Sequence, residues 1–256
     1  MRPSNLPAGP THRSAAPTDG QITLTLAPGR EDLRDFILSL PRLFAEEAGT
    51  AIHVGRNVLR EFRTDGEDFV VKSYAIPNCV NQLAYGLLRA SKAQRSYEYA
   101  LLLRSKGIDS PEPVAWMTQR SGLRFLHSFY ICRKSALPYT YRDLMYQRVP
   151  QPEAYLREVA HTTARLHEAG ILHKDYSQGN ILLGSGKDGQ PRAELIDLNR
   201  LRFFRRISIE KGCSNLAERL PMTTEMRQIL AETYAADRRF DPQECLRLLE
   251  ANACSW

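Results

Sequence analysis

An aspartate and an asparagine stand five positions apart at Asp175 and Asn180, and the apolar run Ile181-Leu182-Leu183 follows directly. A second apolar run ends at Asp197, 22 positions after Asp175. This separation is long enough for a hairpin that returns Asp197 to the side of Asp175. One acid before an amide, with a second acid after a hairpin, is the layout of a phosphoryl-transfer site.

The residue types fit that chemistry because catalysis of phosphoryl transfer consists mainly of positioning groups and neutralising charge. We expect Asp175 to accept a hydrogen bond from the acceptor hydroxyl and to take its proton. Asn180 and Asp197 offer an amide and a carboxylate oxygen, which are ligands that Mg²⁺ prefers. His173 is expected to brace the loop through backbone contacts. The alternative is a surface turn beside an ordinary β-hairpin.

Two charged residues earlier in the chain complete the predicted site. Lys72 lies in the second strand of a hairpin that turns at Asp65-Gly66, and a lysine on such a strand can reach the α- and β-phosphates. Glu98 is the only acid between Ile76 and Gly107, so we expect it to pair with Lys72 and direct it toward phosphate. Taken alone, Lys72 could equally be an exposed strand lysine.

The elements that must position these residues follow from apolar spacing. Residues 21–26 alternate as a strand, 33–44 have helical spacing with a bend or break at Pro41, and 52–74 form a meander. Residues 78–106 are predicted to be helical. A polar stretch at 133–138 is expected to join two lobes, and a long helix from Pro152 to Ala169 is expected to support the catalytic loop.

Composition sets wider limits on the 256 residues. A hydrophobic content of 43%, with 25% charged residues, is typical of a globular protein, and residues 1–20 have the composition of a disordered tail. The net charge of +6 favours anionic partners without selecting one. Five cysteines without a Cys-x-x-Cys pair indicate a reducing cytosol, and no apolar stretch is long enough to span a membrane.

With these parts in place, the chain resembles the Kdo/WaaP lipopolysaccharide kinase family, a bacterial branch of the protein-kinase-like fold. The segments that carry the resemblance are Gly55-Arg56-Asn57, Val70-Val71-Lys72, Glu98, Ser110-Pro111-Glu112-Pro113, Leu166-His167, His173-Lys174-Asp175 with Asn180, and Ile196-Asp197-Leu198-Asn199-Arg200. The chain departs from protein kinases in having no Gly-x-Gly-x-x-Gly, no Phe-Gly after Asp197 and no Ala-Pro-Glu.

The resemblance implies an α+β, two-lobed protein-kinase-like fold, with a sheet-bearing N-lobe at 21–134 and a mainly helical C-lobe at 135–256. It implies Asp175, Lys72 and Glu98 as catalytic residues and Asn180 and Asp197 as metal ligands. The residues expected to contact ATP are Lys72, Gly55, Val70 and Leu182. The implied reaction is Mg²⁺-dependent phosphorylation, by ATP, of a sugar hydroxyl in the lipopolysaccharide inner core.

The expected partners are ATP and an anionic sugar or glycolipid, with no nucleic acid, and the expected location is the cytoplasm or the inner face of the inner membrane. Two other functions stay open: a minimal, RIO-like protein kinase and a non-enzymatic pseudokinase that serves as a binding module. The basic run Arg200–Arg206 holds four arginines and two phenylalanines. It could bind the acceptor, lie against the membrane, or be a basic strand with buried phenylalanines.

Overall fold

The computed structural model describes residues 20–76, 90–122 and 124–253. Its first part is a six-stranded sheet in which every neighbouring pair is antiparallel. The strands are β1 (Gln21–Leu26), β2 (Thr50–Val54), β3 (Val58–Thr64), β4 (Glu67–Ser73), β5 (Pro113–Ser121) and β6 (Arg124–Arg133), in the order β1-β5-β6-β4-β3-β2. The predicted strand at 21–26 and the predicted meander are confirmed.

Helix α1 (Arg34–Ala45) covers one face of this sheet, after a 3₁₀ turn at Glu31–Leu33. Leu33, Ile37 and Leu40 recur at helical spacing and pack against buried side chains of β4, β5 and β6. Pro41 removes one donor from the helix but does not end it, since the helix continues to Ala45. Of the predicted bend or break at this proline, the break is therefore absent, and the bend stays a prediction.

Helix α2 (Lys92–Ser105) connects the sheet to the rest of the molecule. Ser91 caps its start by accepting a hydrogen bond from the backbone of Gln94. Ala100 and Leu103, near its end, belong to the hydrophobic core of the C-terminal part of the molecule. The predicted N-terminal portion of this helix, at 78–89, lies outside the described residues.

The C-terminal part is mainly helical. It contains α3 (Tyr141–Met145), α4 (Pro152–Glu168), α5 (Ile209–Ala217), α6 (Thr224–Arg238) and α7 (Pro242–Ala251). Short strands form two small sheets: β7 (Tyr139–Thr140) and β10 (Pro191–Leu195) both pair with β9 (Ile181–Ser185), and β8 (Ile171–His173) pairs with β11 (Leu201–Phe203). A 3₁₀ turn covers Leu198–Arg200.

Helix α4 leads into the region that sequence reasoning marked as catalytic. Pro152 occupies its first turn, and Gly170 follows its end with φ of +73°. A side chain at Gly170 would collide with the carbonyl oxygen of Phe204, so only glycine fits there. The turn brings the chain directly from the buried helix into β8.

The mixed α+β class is confirmed, whereas the lobe boundary between residues 134 and 135 stays a prediction. The predicted tail lies outside the described residues, except for Gly20. Within the described residues, no helix has the length and apolar character needed to cross a bilayer.

Candidate active site

His173, the last residue of β8, is fully buried and links two segments of the site. Its Nε2 atom lies 2.9 Å from the carbonyl oxygen of Ile196, and its Nδ1 atom accepts a hydrogen bond of 3.1 Å from the backbone N–H of Asp175. Burial lowers the pKa of His173, which keeps the ring neutral with Nε2 as the donor. The predicted bracing role is confirmed by these contacts.

Asn180 ties the catalytic loop to the strand that precedes Asp197. Its side-chain Nδ2 donates to the backbone carbonyl of Asp175 at 2.8 Å. The backbone carbonyl of Asn180 accepts a hydrogen bond from the backbone N–H of Ile196 at 3.0 Å. Because the amide nitrogen is engaged by the loop, the side-chain oxygen of Asn180 remains for a ligand. The hairpin β9–β10 has thus returned Asp197 to the catalytic loop, as the spacing predicts.

Asp197 has φ of +58° and ψ of +46°, the left-handed conformation that few side chains other than asparagine and aspartate adopt readily. Its Oδ1 atom accepts hydrogen bonds from Lys72 Nζ at 2.6 Å and from Asn199 Nδ2 at 2.5 Å. A non-glycine residue in this conformation costs on the order of 1 kcal/mol or more, and such strain is concentrated at functional sites. The backbone here is therefore held by its surroundings.

Lys72 reaches Asp197 from the opposite part of the molecule because of its position in β4. Phe69 and Val71 face the core under α1, so the alternate residues Val70 and Lys72 share the other face of the strand. The side chain of Lys72 is 12% exposed, and its ammonium lies 5.2 Å from the ring centroid of Tyr74. The structure thus brings Lys72, Asp175, Asn180 and Asp197 into one region.

The predicted ion pair between Lys72 and Glu98 is wrong. Glu98 is exposed on α2 and accepts a hydrogen bond of 2.8 Å from Gln94, whereas Ser96 contacts the hydroxyl of Tyr74 at 2.6 Å. Two positions along a helix correspond to a rotation of about 200°, so turning Ser96 toward β4 turns Glu98 away from Lys72. The carboxylate that Lys72 contacts is Asp197.

Gly55, Val70 and Leu182, the other residues expected to contact ATP, keep their roles as predictions. Gly55 lies in the turn between β2 and β3, where Asn57 accepts a hydrogen bond of 3.1 Å from the backbone of Ala75. A side chain at Gly55 would come within 2.8 Å of the ring of His53. Leu182 lies in the middle of its three-stranded sheet, half-buried, opposite Thr140 of β7.

Two arginines contact the carboxylate of Asp175, and the sequence predicted neither contact. Arg219 Nη1 lies 2.8 Å from Oδ1, and Arg200 Nη1 lies 3.4 Å from Oδ2. Arg219 follows α5 and is 44 positions from Asp175, in a segment without a recognisable motif. Arg200 stands in the basic run, but nothing in its spacing indicates a contact with Asp175.

The basic run does not bury its phenylalanines. Within β11 the buried side chain is Leu201, while Phe203 and Phe204 are 48% and 39% exposed. The interpretation of the run as a basic strand with buried phenylalanines is therefore wrong about its aromatic residues.

A chain of hydrogen bonds supports the loop from beneath. Asn215 Nδ2 donates to the backbone carbonyl of His173 at 3.0 Å, and Asn215 Oδ1 lies 3.2 Å from His167 Nε2. The other ring nitrogen of His167 lies 2.9 Å from the hydroxyl of Tyr234 in α6. His167 is fully buried, and burial lowers its pKa to about 3, so the ring is neutral.

A strongly basic cleft of about 1180 Å³ is lined in part by Arg200 and Arg219, the two arginines that contact Asp175. Eight of the side chains that line it are lysine or arginine, and two are glutamate. The pKa of Lys92 is lowered, first by partial burial and then by the charges of Arg56 and Arg200 among others. Such crowding of like charges is unfavourable, and an anion that binds among them relieves it.

The oxygen atoms of Asn180 and Asp197 fit a magnesium ion better than a transition metal. Both are hard ligands, and Mg²⁺ is usually held by one or two protein oxygens together with water and substrate phosphates. Within the described residues, no group of three or more His, Cys, Asp or Glu side chains is arranged as a metal site. Two oxygen donors leave the other coordination positions of Mg²⁺ for water and phosphate oxygens.

Comparisons with known proteins point to one family. The model of the lipopolysaccharide kinase (Kdo/WaaP) family matches residues 67–234. The 3-deoxy-D-manno-octulosonic acid kinase of Vibrio parahaemolyticus serotype O3:K6 (strain RIMD 2210633) is 27% identical over 114 residues. That match spans 44% of this chain and 44% of the relative, which is less than half of its length.

A solved structure described as WaaP in complex with acyl carrier protein superposes with a TM-score of 0.59 at 20% identity. The superposition covers 90% of this chain and 96% of that chain, and it confirms the protein-kinase-like fold. The family match includes Lys72, Asp175, Asn180 and Asp197, and it extends over more than half of the sequence. The chain belongs to the lipopolysaccharide kinase (Kdo/WaaP) family.

Proposed function

We propose that this protein transfers the γ-phosphate of ATP, in a Mg²⁺-dependent reaction, to a sugar hydroxyl of the lipopolysaccharide inner core. The observation that carries the proposal is the convergence of Lys72, Asp175, Asn180 and Asp197 from three separate segments. Family membership supports the kinase class and the connection to lipopolysaccharide. The sugar acceptor and the cofactor requirement are part of the proposal.

Each of these residues has a defined task in such a reaction. Asp175 accepts a hydrogen bond from the acceptor hydroxyl at a carboxylate oxygen and receives its proton. Lys72 forms an ion pair with Asp197 and binds phosphate oxygens with the remaining donors of its ammonium group. Asn180 and Asp197 would hold Mg²⁺, which neutralises charge on the phosphates when it is bound. His173 and Asn180 keep Asp175 at a fixed distance from Asp197.

We also propose a peripheral contact with the inner membrane at its cytoplasmic face. The surface that supports this is the 203–206 patch, which consists of Phe203, Phe204, Arg205 and Arg206, all exposed. Phe203 stacks edge-on against Tyr99, and the ammonium of Lys211 lies 4.2 Å from the ring of Phe204. Exposed aromatic rings beside basic side chains suit the interface of an anionic bilayer.

The decisive test replaces Asp175 by alanine and measures transfer of labelled phosphate from ATP to extracted inner-core glycolipid. We expect the rate to fall on the order of 100-fold or more, while binding of Mg-ATP persists, because the loss affects the acceptor and not the nucleotide. Asp188→Ala is the matched control, since Asp188 is an exposed turn aspartate that pairs with Arg192 at 2.7 Å.

Three results would contradict the proposal. Transfer by Asp175→Ala at the wild-type rate would remove Asp175 from the mechanism. Label that appears in protein bands of a lysate, with none in the glycolipid, would favour a protein kinase. Binding of Mg-ATP by the wild type without any transfer would favour a pseudokinase.

A further inference from the structure

Two arginines both line the basic cleft and contact Asp175, the residue proposed to take the proton. Arg200 and Arg219 line the cleft, and the same two guanidinium groups contact the carboxylate of Asp175. Their side chains are 56% and 53% exposed, so both are accessible to a ligand. A molecule that fills the cleft and touches these arginines therefore lies next to Asp175.

Each guanidinium has donors in excess of those that Asp175 uses. In the hydrogen bonds of the described residues, Arg219 reaches Asp175 through Nη1, and Arg200 does so through its own Nη1 at a longer distance. A guanidinium carries five N–H donors in a planar fork that matches a carboxylate or a phosphate in bidentate fashion. Arg200 and Arg219 can thus bind an anion while they remain beside Asp175.

The carboxylate of Asp175 has competing demands. It is 22% exposed, and both of its oxygens accept a hydrogen bond from an arginine. An acceptor hydroxyl needs one of these oxygens with suitable geometry if its proton is to move there. The two guanidinium groups occupy two of about four lone-pair sites and crowd the approach to both oxygens. An arginine that turns to an anion within the cleft leaves an oxygen of Asp175 more open to the hydroxyl.

We propose that Arg219, assisted by Arg200, recognises an anionic group of the acceptor close to the hydroxyl that becomes phosphorylated, and that this exchange frees Asp175. The inference rests on the function proposed above and adds a residue-level basis for acceptor choice. A neutral acceptor leaves Asp175 engaged by its arginines, so it is used poorly. The nearby cations Lys174, Arg202 and Lys211 line the same cleft and favour the same charge.

The test uses two matched pairs of acceptors. The first pair is the methyl glycoside of 3-deoxy-D-manno-octulosonic acid and its methyl ester, which differ only in the carboxylate charge. The second pair, mannose 6-phosphate and mannose, presents a phosphate instead. Binding is measured by calorimetry without nucleotide, and phosphate transfer is measured separately, for the wild type, Arg219→Ala and Arg219→Lys. Comparison of the pairs shows which anion the arginines recognise.

For at least one of the two charged acceptors, we expect Arg219→Ala to lower kcat/KM and affinity by about 10- to 100-fold. This is the range for a lost charge-assisted hydrogen bond. The neutral partner of that pair should change by less than about threefold, and KM for ATP by less than about twofold. Arg219→Lys keeps the charge but not the fork, so it should restore only part of the preference. Arg192→Ala is the matched control, because Arg192 is 45% exposed and pairs with Asp188 outside the cleft.

Equal effects on the charged and neutral members of both pairs would overturn the inference, as would an unchanged preference. If Arg219→Ala does not fold, the same criterion applies to Arg219→Lys, for which an unchanged preference refutes the role. The experiment distinguishes failure of the proposed kinase function from failure of the arginine exchange. Arg219-dependent binding of an anion without any transfer contradicts the kinase function alone, and transfer without a charge preference contradicts the arginine exchange alone.

Discussion

The buried histidine beneath the catalytic loop makes the stability of the fold depend on pH. His167 has a pKa of about 3 in the folded protein, and its usual value of 6.5 applies to the unfolded chain. As the pH falls through 6.5, His167 binds a proton in the unfolded chain but not in the folded protein, so unfolding becomes more favourable. Linkage between these two pKa values predicts that the free energy of unfolding is about 2 kcal/mol lower at pH 5 than at pH 7 through this residue alone.

The perturbation is His167→Gln, which keeps an amide able to hydrogen-bond Tyr234 or Asn215 but cannot titrate. The variant should be less stable at pH 7 by about 1–3 kcal/mol, because a buried network loses its geometry. Its loss of stability between pH 7 and pH 5 should nevertheless be smaller than that of the wild type by about 2 kcal/mol. Urea unfolding at a series of pH values measures both quantities.

His53→Gln serves as the control, since His53 is exposed on β2. Its pH dependence should match that of the wild type within about 0.5 kcal/mol, the usual range for surface substitutions. Other titrating groups, including His173, are present in all three proteins and cancel in the comparison. Equal pH dependence in the wild type and His167→Gln would show that His167 does not remain neutral in the folded state.

Three further predictions concern the nucleotide, the packing and the membrane. Lys72→Met should weaken Mg-ATP binding about tenfold or more in calorimetry. Lys134→Met, which breaks an exposed ion pair of 2.7 Å with Glu61, should not weaken it. Equal binding by both variants would contradict the role of Lys72. Gly212→Ala should lower the free energy of unfolding by about 1–3 kcal/mol, because its Cβ would collide with the hydroxyl of Tyr234; a melting temperature equal to that of the wild type would refute this packing argument. Replacing both phenylalanines of the 203–206 patch by serine should reduce sedimentation with phosphatidylglycerol vesicles, leave phosphate transfer to a water-soluble acceptor unchanged, and have no effect on phosphatidylcholine vesicles; undiminished sedimentation would exclude the patch.

The parts of the fold that local patterns specify could be predicted from the sequence. The hairpin of β3 and β4 has period-two alternation on both sides of Asp65-Gly66, and α4 has a proline at its start and a glycine after its end. The approach of Asp197 to the loop that holds Asp175 and Asn180 could be predicted for the same reason. Asp197 and this loop are joined by one short hairpin, so spacing alone brings Asp197 back to Asn180.

The errors arose where a side chain's direction depends on tertiary packing. Glu98 has the expected position in the sequence, but α2 buries a different face, which includes Ser96, Tyr97 and Ala100, and leaves Glu98 exposed. Pro41 lies in a helix that packs through Leu33, Ile37 and Leu40, and this burial outweighs the loss of one hydrogen bond. The arginines on Asp175 come from segments whose approach only the folded chain creates.

The hydrogen-bond chain from Tyr234 to the loop also orders events during synthesis on the ribosome. The segment that carries His173 and Asp175 emerges before α6, yet its backbone is held through Asn215 and His167 by the hydroxyl of Tyr234. A nascent polypeptide that stops short of Tyr234 has Asp175 without the support that fixes the loop around it. Competence for chemistry should therefore be acquired late, after the helices that follow the site have joined the core.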